Sequence, residues 1–243
     1  HTRSYSVTGV QTWALPISRM DSDTMRSRGA HNQVLTAVRD RQVDVLIGTQ
    51  MIAKGLDFPN VTLVGVINAD VSMNLPDFRA GERTFQLISQ VAGRAGRGPK
   101  GGRILVQTFN PDHDAVRLAA AHDYEGFAAM ELGHRRTFGY PPFTRLARII
   151  VRGGNEDQVL AHCREVAQRL RDAAAAVQSG PIQVLGPAPC PITRINRQFR
   201  YQVLVKAPRA RGIVDLFDRV RDSLTPGNDD LAMAVDIDPI STL

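Results

Sequence analysis

Between residues 44 and 107, short apolar, β-branched runs alternate with stretches of helical period, which predicts an α/β fold with a parallel sheet covered by helices on both faces. After Asp114 the pattern changes to helix, and that continues up to a Gly-Tyr-Pro-Pro turn at 139–142. From residue 144 onward the order is strand, helix, strand, strand, helix, strand, so a second, α+β part of the ferredoxin-like kind is expected.

Each element has its own reason. Val34, Leu35 and Val38 share one face of a helix over 30–41. Residues 44–48 form a short buried strand that runs straight into the loop 49–57, at the carboxyl end of the strand, where open α/β sheets place ligands. A second buried strand covers 61–69. It is followed by a polar turn through Asn74, Pro76 and Asp77, and Phe85, Leu87, Ile88 and Val91 then supply the apolar face of a helix over 79–91. A third strand covers 103–107 and is closed by Asn110 and Pro111, and 115–138 reads as one or two helices. In the second part the strands are expected at 144–152, 182–185, 199–206 and 231–236, with helices at 156–177 and 211–224. The first of these helices carries Val159, Cys163, Val166, Leu170, Ala174 and Val177 at steps of three and four.

The first segment, residues 1–17, has neither period. Residues 7–17 resemble the conceptual translation of a common sequencing adapter, with Trp13 where that translation has a cysteine. As an adapter-like or disordered segment it is set aside from fold reasoning and expected to contribute nothing to folding. The rest divides into 18–115, a helical connector at 116–142 and a carboxy-terminal domain at 143–243.

Composition excludes several classes. The 243 residues are 43% hydrophobic and 22% charged, with no run long enough to span a bilayer, so no membrane association is expected. A net charge of +6 permits a polyanionic partner. Two cysteines, Cys163 and Cys190, supply neither a disulfide framework nor a four-cysteine zinc site, and they read as packing residues of a reducing, cytoplasmic protein. His122, His134 and His162 are scattered over helices and are expected at the surface.

The chemistry-bearing stretch is Gln-Val-Ala-Gly-Arg-Ala-Gly-Arg-Gly over 90–98. It sets Arg94 and Arg97 three residues apart among small residues, the arrangement of an arginine-finger element, with a Gly/Ala-rich helix end followed by a solvated basic loop as the alternative. The planar, permanently charged fork of arginine grips phosphate oxygens with two parallel hydrogen bonds. No Gly-x-x-x-x-Gly-Lys-Ser/Thr phosphate loop accompanies it.

Gly-Thr-Gln-Met-Ile-Ala-Lys-Gly over 48–55, with Leu56, Asp57, Phe58 and Pro59, precedes that stretch, and the pair resembles motifs V and VI of the second, RecA-like motor lobe of superfamily 2 helicases. Pro-Asp-Phe-Arg-Ala-Gly-Glu-Arg over 76–83, Gly-Tyr-Pro-Pro over 139–142, Leu-Gly-Pro over 185–187, Tyr201 with Gln202, and Asp-Ile-Asp-Pro over 236–239 narrow the resemblance to the replication-restart helicase family. The resemblance implies an ATP-dependent 3′-to-5′ DNA helicase that restarts stalled forks and assembles the primosome. It further implies ATP and Mg2+ as ligands shared with a first lobe, and single-strand-binding protein and primosome proteins as partners. Arg97 would be the finger, Arg94 a second phosphate contact or a partner in an interlobe ion pair, and Gln90 the group that orients the site, while Gly55, Asp57 and Gly93 would meet the nucleotide. Thr49, Gln50 and Lys54 would touch DNA phosphates; in the alternative, Thr49 and Asp57 cap a short helix and Lys54 is solvated. The family's zinc module, first motor lobe and amino-terminal DNA-binding domain have no counterpart in these residues, so zinc is not assigned and the chain alone is expected to be inactive. The alternative is a non-catalytic DNA- or partner-binding module of a decayed helicase.

Residues 187–214 hold six basic side chains and no acidic one, with Phe199 and Tyr201 interleaved among Arg194, Arg197 and Arg200. Basic charge beside aromatic faces suits forked or single-stranded DNA, and a sheet core edged by a solvated loop is the alternative.

Overall fold

The computed structural model describes residues 15–21, 29–49, 60–93, 101–224 and 230–242. It divides into two compact units, residues 1–71 with 83–124, and residues 72–82 with 125–243.

The first unit contains two parallel strand pairs. β1 (Ile17–Met20) lies beside β2 (Val45–Gly48), with α1 (Ala30–Arg39) between them in sequence. β3 (Leu63–Val66) lies beside β4 (Arg103–Val106). The connection from β3 to β4 runs through α2 (Asp70–Met73) and α3 (Ala80–Ala92). Parallel neighbours need such a crossover, so the alternation read in the sequence is realised. Val64, Val66, Ile104 and Val106 turn to one face and pack with Ala69, Leu87 and Val91. On the other face Leu63 and Leu105 are exposed, so among the described residues the pair is covered on one side and not on both. α4 (Asp114–Ala120) closes the unit, its first turn capped by His113, whose Nδ1 accepts from the Ala115 N–H at 3.2 Å.

The boundary set at residue 17 needs correction. Ile17 belongs to β1, and the Pro16 carbonyl accepts from the N–H groups of Asp44 and Val45 at 2.9 and 3.2 Å. The backbone groups of β2 need a neighbour, and these residues supply it.

The second unit holds α5 (Tyr124–Phe138) and a four-stranded antiparallel sheet in the order β6-β7-β5-β8. Its strands are β5 (Arg145–Gly153), β6 (Gln183–Ile195), β7 (Gln198–Ala207) and β8 (Leu231–Ile237). α6 (Glu156–Ala174) follows β5, and α7 (Ala210–Val220) follows β7. This is the ferredoxin-like order expected from the sequence. Ala147, Ile149 and Val151 of β5 and Val203 and Val205 of β7 point to one face and meet Val159, Cys163, Val166 and Leu170 of α6 and Ile213 and Leu216 of α7. Asn155 caps α6, its side-chain oxygen accepting from the Gln158 N–H at 3.1 Å. Both cysteines are buried and free. Burial, aided by the nearby Cys190, pushes the Cys163 thiol up to about 12.

Three expectations change here. β6 runs on to Ile195, well past residue 185, although it contains Pro187, Pro189 and Pro191. It is an edge strand with register shifts against β7, and an edge tolerates residues without an N–H. His162 is buried, not exposed, because it sits between Val159 and Val166 on the inward side of α6. The division into 18–115, 116–142 and 143–243 also gives way, since residues 72–82 group with the second unit and 116–124 with the first.

At the end of β5 the chain is pinched. A Cβ on Gly153 would lie 2.7 Å from Leu231 Cδ2 and 3.0 Å from both the Asp230 carbonyl and Val159 Cγ2. Gly153→Ala is therefore expected to destabilise the second unit by about 1 to 3 kcal/mol through overpacking. Urea unfolding of both proteins measures it, and coincident midpoints would show that the neighbours yield freely.

Candidate functional site

The residues expected to serve the motor follow β2, or lie on or follow α3, in the sequence. Thr49 follows β2 directly and is exposed, as expected for a residue at the carboxyl end of a parallel strand. Gln50, Lys54, Gly55 and Asp57 lie outside the described residues. On α3 the helical period buries Phe85, Ile88 and Val91 and leaves Gln90 exposed on the opposite side. Gly93 follows the last turn, its N–H donating to the Ser89 carbonyl at 3.1 Å, and is exposed. Arg94 and Arg97 come next in the chain and lie outside the described residues.

Asp70 fastens the neighbouring strand ends. Its carboxylate accepts from the Thr108 hydroxyl at 2.9 Å and the Phe109 N–H at 3.0 Å. Burial opposes ionisation, but these hydrogen bonds outweigh it and hold the carboxyl below the usual range. Among the described residues, no group of three His, Cys, Asp or Glu side chains could hold a metal ion.

In the second unit the 76–83 stretch meets the 139–142 turn and the chain end. Asp77 accepts from the Arg79 N–H at 2.8 Å, the Ser241 hydroxyl at 2.8 Å and the Thr242 N–H at 3.0 Å. Arg79 grips Glu82 with two hydrogen bonds, at 3.0 and 2.6 Å. Arg135 of α5 reaches the same carboxylate at 2.7 Å and Glu131 at 2.8 Å. The Arg135 guanidinium also lies 5.3 Å from the centre of the Phe78 ring, and Phe78 stacks on Tyr140 at 5.2 Å, nearly parallel. Lys206 closes the series, its Nζ 3.6 Å from the centre of the Tyr140 ring and 2.9 Å from the Phe138 carbonyl. Burial lowers the Lys206 pKa, and the ring and carbonyl are the groups it has in exchange for water.

The three candidate DNA-contacting arginines do not share one face. Arg194 is paired opposite Phe199 on the helix side of the sheet, 4.8 Å from the centre of that ring. Arg197 occupies the β6–β7 turn with a positive φ of 64°. Arg200 points to the opposite face and donates to the Ile192 carbonyl at 3.3 Å. Phe199 and Tyr201 pack against the core, and the Tyr201 hydroxyl donates to Glu156 at 2.8 Å. They edge the core and do not form an open stacking platform, because the strand alternation that buries Val203 and Val205 turns them the same way. Arg152, directly opposite Arg200 in the β5–β7 ladder, was missed. The alternation of β5 would have found it, since Arg148 and Arg152 share the face away from Ile149 and Val151.

The first unit has a parallel α/β organisation. In agreement, the model of the helicase conserved C-terminal domain matches residues 7–99, a span that takes in part of the segment set aside above. The chain belongs to the replication restart protein PriA family, and the model of the primosomal protein N C-terminal domain matches residues 136–240. It is 45% identical over 190 residues to replication restart protein PriA of Bacillus subtilis, covering 78% of this chain and 23% of that protein. It is 38% identical over 223 residues to the Synechocystis protein of the same name, covering 92% of this chain and 26% of the relative. For the Treponema pallidum protein the figures are 42% over 192 residues, 79% and 28%. The chain thus spans about a quarter of the length of these relatives.

The carboxylate shared by Arg79 and Arg135 sets a pH dependence. Arg79 foremost, then Arg135, hold Glu82 at about 2 against its burial. Stability from a depressed carboxyl is present above its ordinary value of 4.5 and is lost as pH falls toward about 2. Glu82→Gln is expected to lower stability at neutral pH by about 1 to 3 kcal/mol and to flatten that acid loss. Urea unfolding across the pH range tests it, and equal losses in both proteins would remove Glu82 from the role.

Proposed function

We propose that this chain is the second motor lobe and carboxy-terminal domain of an ATP-dependent 3′-to-5′ DNA helicase that restarts stalled replication forks and assembles the primosome. The observation that carries the reading is α3. Its buried Phe85, Ile88 and Val91 fix the helix against its unit, so Gln90 and Gly93 stand at an exposed helix end immediately before the arginine pair. The helicase match and the name shared by the relatives support the same reading.

The mechanism assigned to these residues is charge neutralisation. A first lobe would contribute ATP and Mg2+, which supply the phosphoryl group and screen its oxygens. Arg97 would then place its fork against charge developing on the transferred phosphate, an interaction made chiefly in the transition state. Arg94 would hold a second oxygen, Gln90 would orient the site, and Gly93, Gly55 and Asp57 would admit and contact the nucleotide. Thr49, Gln50 and Lys54 would grip DNA phosphates without reading bases, as a translocating motor requires. Forked or single-stranded DNA is the proposed substrate, and single-strand-binding protein and primosome proteins are the proposed partners. Among the described residues, no helix is long and apolar enough to cross a membrane.

Two outcomes are expected. The purified chain hydrolyses no ATP in the presence of DNA, and in a full-length enzyme Arg97→Ala lowers turnover roughly a thousandfold while ATP binding persists. DNA-stimulated hydrolysis by the chain, or an unchanged turnover number, would remove the assignment. For the second unit, Arg194→Ala, Arg197→Ala and Arg200→Ala are each expected to flatten the log-log salt slope of DNA binding by about 0.7 to 0.9. Titration with labelled forked DNA at several salt concentrations measures this. Slopes unchanged in all three variants would return the hairpin to a structural role.

A further inference from the structure

β5 ends at Gly153, which stands in register between Phe199 of β7 and Leu231 of β8. The chain then passes through Gly154 and Asn155 into α6, so the β6–β7 turn lies to one side of residue 154 and Asp230, just before β8, lies to the other. The space between them is a cleft of about 650 Å3, within the range of about 300 to 1,000 Å3 that holds small ligands.

Its walls carry no apolar side chain. Apart from Gly154 they are Asn155, Gln158, Asn196, Arg197, Gln198 and Asp230, which supply four carboxamides, one guanidinium and one carboxylate. The Asn155 oxygen is taken by the Gln158 N–H at 3.1 Å. Among the described residues, the side chains of Gln158, Asn196, Arg197 and Gln198 have no protein partner.

The turn that carries Arg197 adds a second argument. Ile195 pairs with Gln198, so the loop is two residues long, and Asn196 and Arg197 both have positive φ, 49° and 64°. These are the signs of a type I′ turn, whose second position favours glycine. An arginine there costs backbone strain that glycine would avoid. Strain held at the mouth of a cleft points to a use for the side chain.

We propose that this cleft takes one unpaired nucleotide of forked or single-stranded DNA, with its phosphate on the Arg197 fork and its base edge on the carboxamides of Gln158, Asn196 and Gln198. The inference rests on the reading of this chain as part of a DNA helicase. A guanidinium meets a phosphate with two parallel hydrogen bonds. A carboxamide carries both an acceptor and donors, and a half-turn of its end exchanges them, so the same three side chains serve the edge of any base. An enzyme that works at forks of any sequence needs that tolerance. Asp230 opposes a bare anion and accepts from the amino groups that adenine, cytosine and guanine present. A base in the cleft has left its stack, so only an unpaired strand reaches it.

Titration of the full chain with labelled forks tests the proposal, the unpaired arm carrying one abasic residue that is moved stepwise away from the junction. The expected result is one position at which loss of the base weakens binding about tenfold. Two variants are expected to abolish that difference. A Cβ on Gly154 would meet nothing within 4 Å, so Gly154→Leu fills the cleft without disturbing the packing. Gln158→Ala combined with Gln198→Ala removes base contacts but no charge, so the salt slope of binding stays that of the parent. Circular dichroism of both variants matches the parent. Abasic forks bound as tightly as intact ones at every position, or a difference that survives both variants, would overturn the nucleotide cleft and leave the helicase reading standing. A chain that binds no forked DNA at any salt concentration would overturn the cleft together with the DNA-binding role of the second unit.

Discussion

The second unit depends on one continuous series of contacts: Glu82 held by Arg79 and Arg135, Arg135 over Phe78, Phe78 on Tyr140, and Tyr140 under Lys206. Three stretches far apart in sequence, 78–82, 135–140 and the end of β7, meet there. Each cation gives up part of its hydration and takes an aromatic face or a carboxylate in return, a trade that holds only while every member is in place. Asp77 adds the chain end to this assembly through Ser241 and Thr242. Residues 72–82, which follow the motor strands in sequence, thereby belong to the carboxy-terminal unit.

Most of the motifs that narrowed the family resemblance therefore do structural work. Gly186 has a φ of +108°, and a Cβ there would lie 2.8 Å from the Gln202 carbonyl, so the Leu-Gly-Pro motif marks a close backbone approach. Gln202 accepts from Arg148 at 2.7 Å, and Asp238 pairs with Arg145. The 76–83 and 139–142 motifs form the cation and aromatic series.

Much of the fold was legible because hydrophobic period reports burial directly. The stripe on α6 and the β-branched strands 44–48 and 103–107 could be read from spacing alone, and the ferredoxin-like order followed. What escaped depends on neighbours distant in sequence. The prolines of β6 argue against a strand until the strand is known to be an edge, and Ile17 to Met20 form a strand only because β2 lies beside them. His162 looked like a surface residue until the helix was seen to bury that side. Of the candidate site, the arginines and glycines were legible as residue types, but the faces to which Arg194, Arg200 and Arg152 point are set by register and could not be counted from the sequence.

The two thiols are distributed unevenly. Cys163 lies in the core of α6 and Cys190 in β6, both buried and both in the second unit, while the first unit has none. Neither is an accessible nucleophile, and the elevated pKa of Cys163 keeps it protonated at neutral pH. An electrophile reaches the Cys163 sulfur only when the sheet and α6 part, so alkylation of that thiol proceeds at the pace of the second unit's opening.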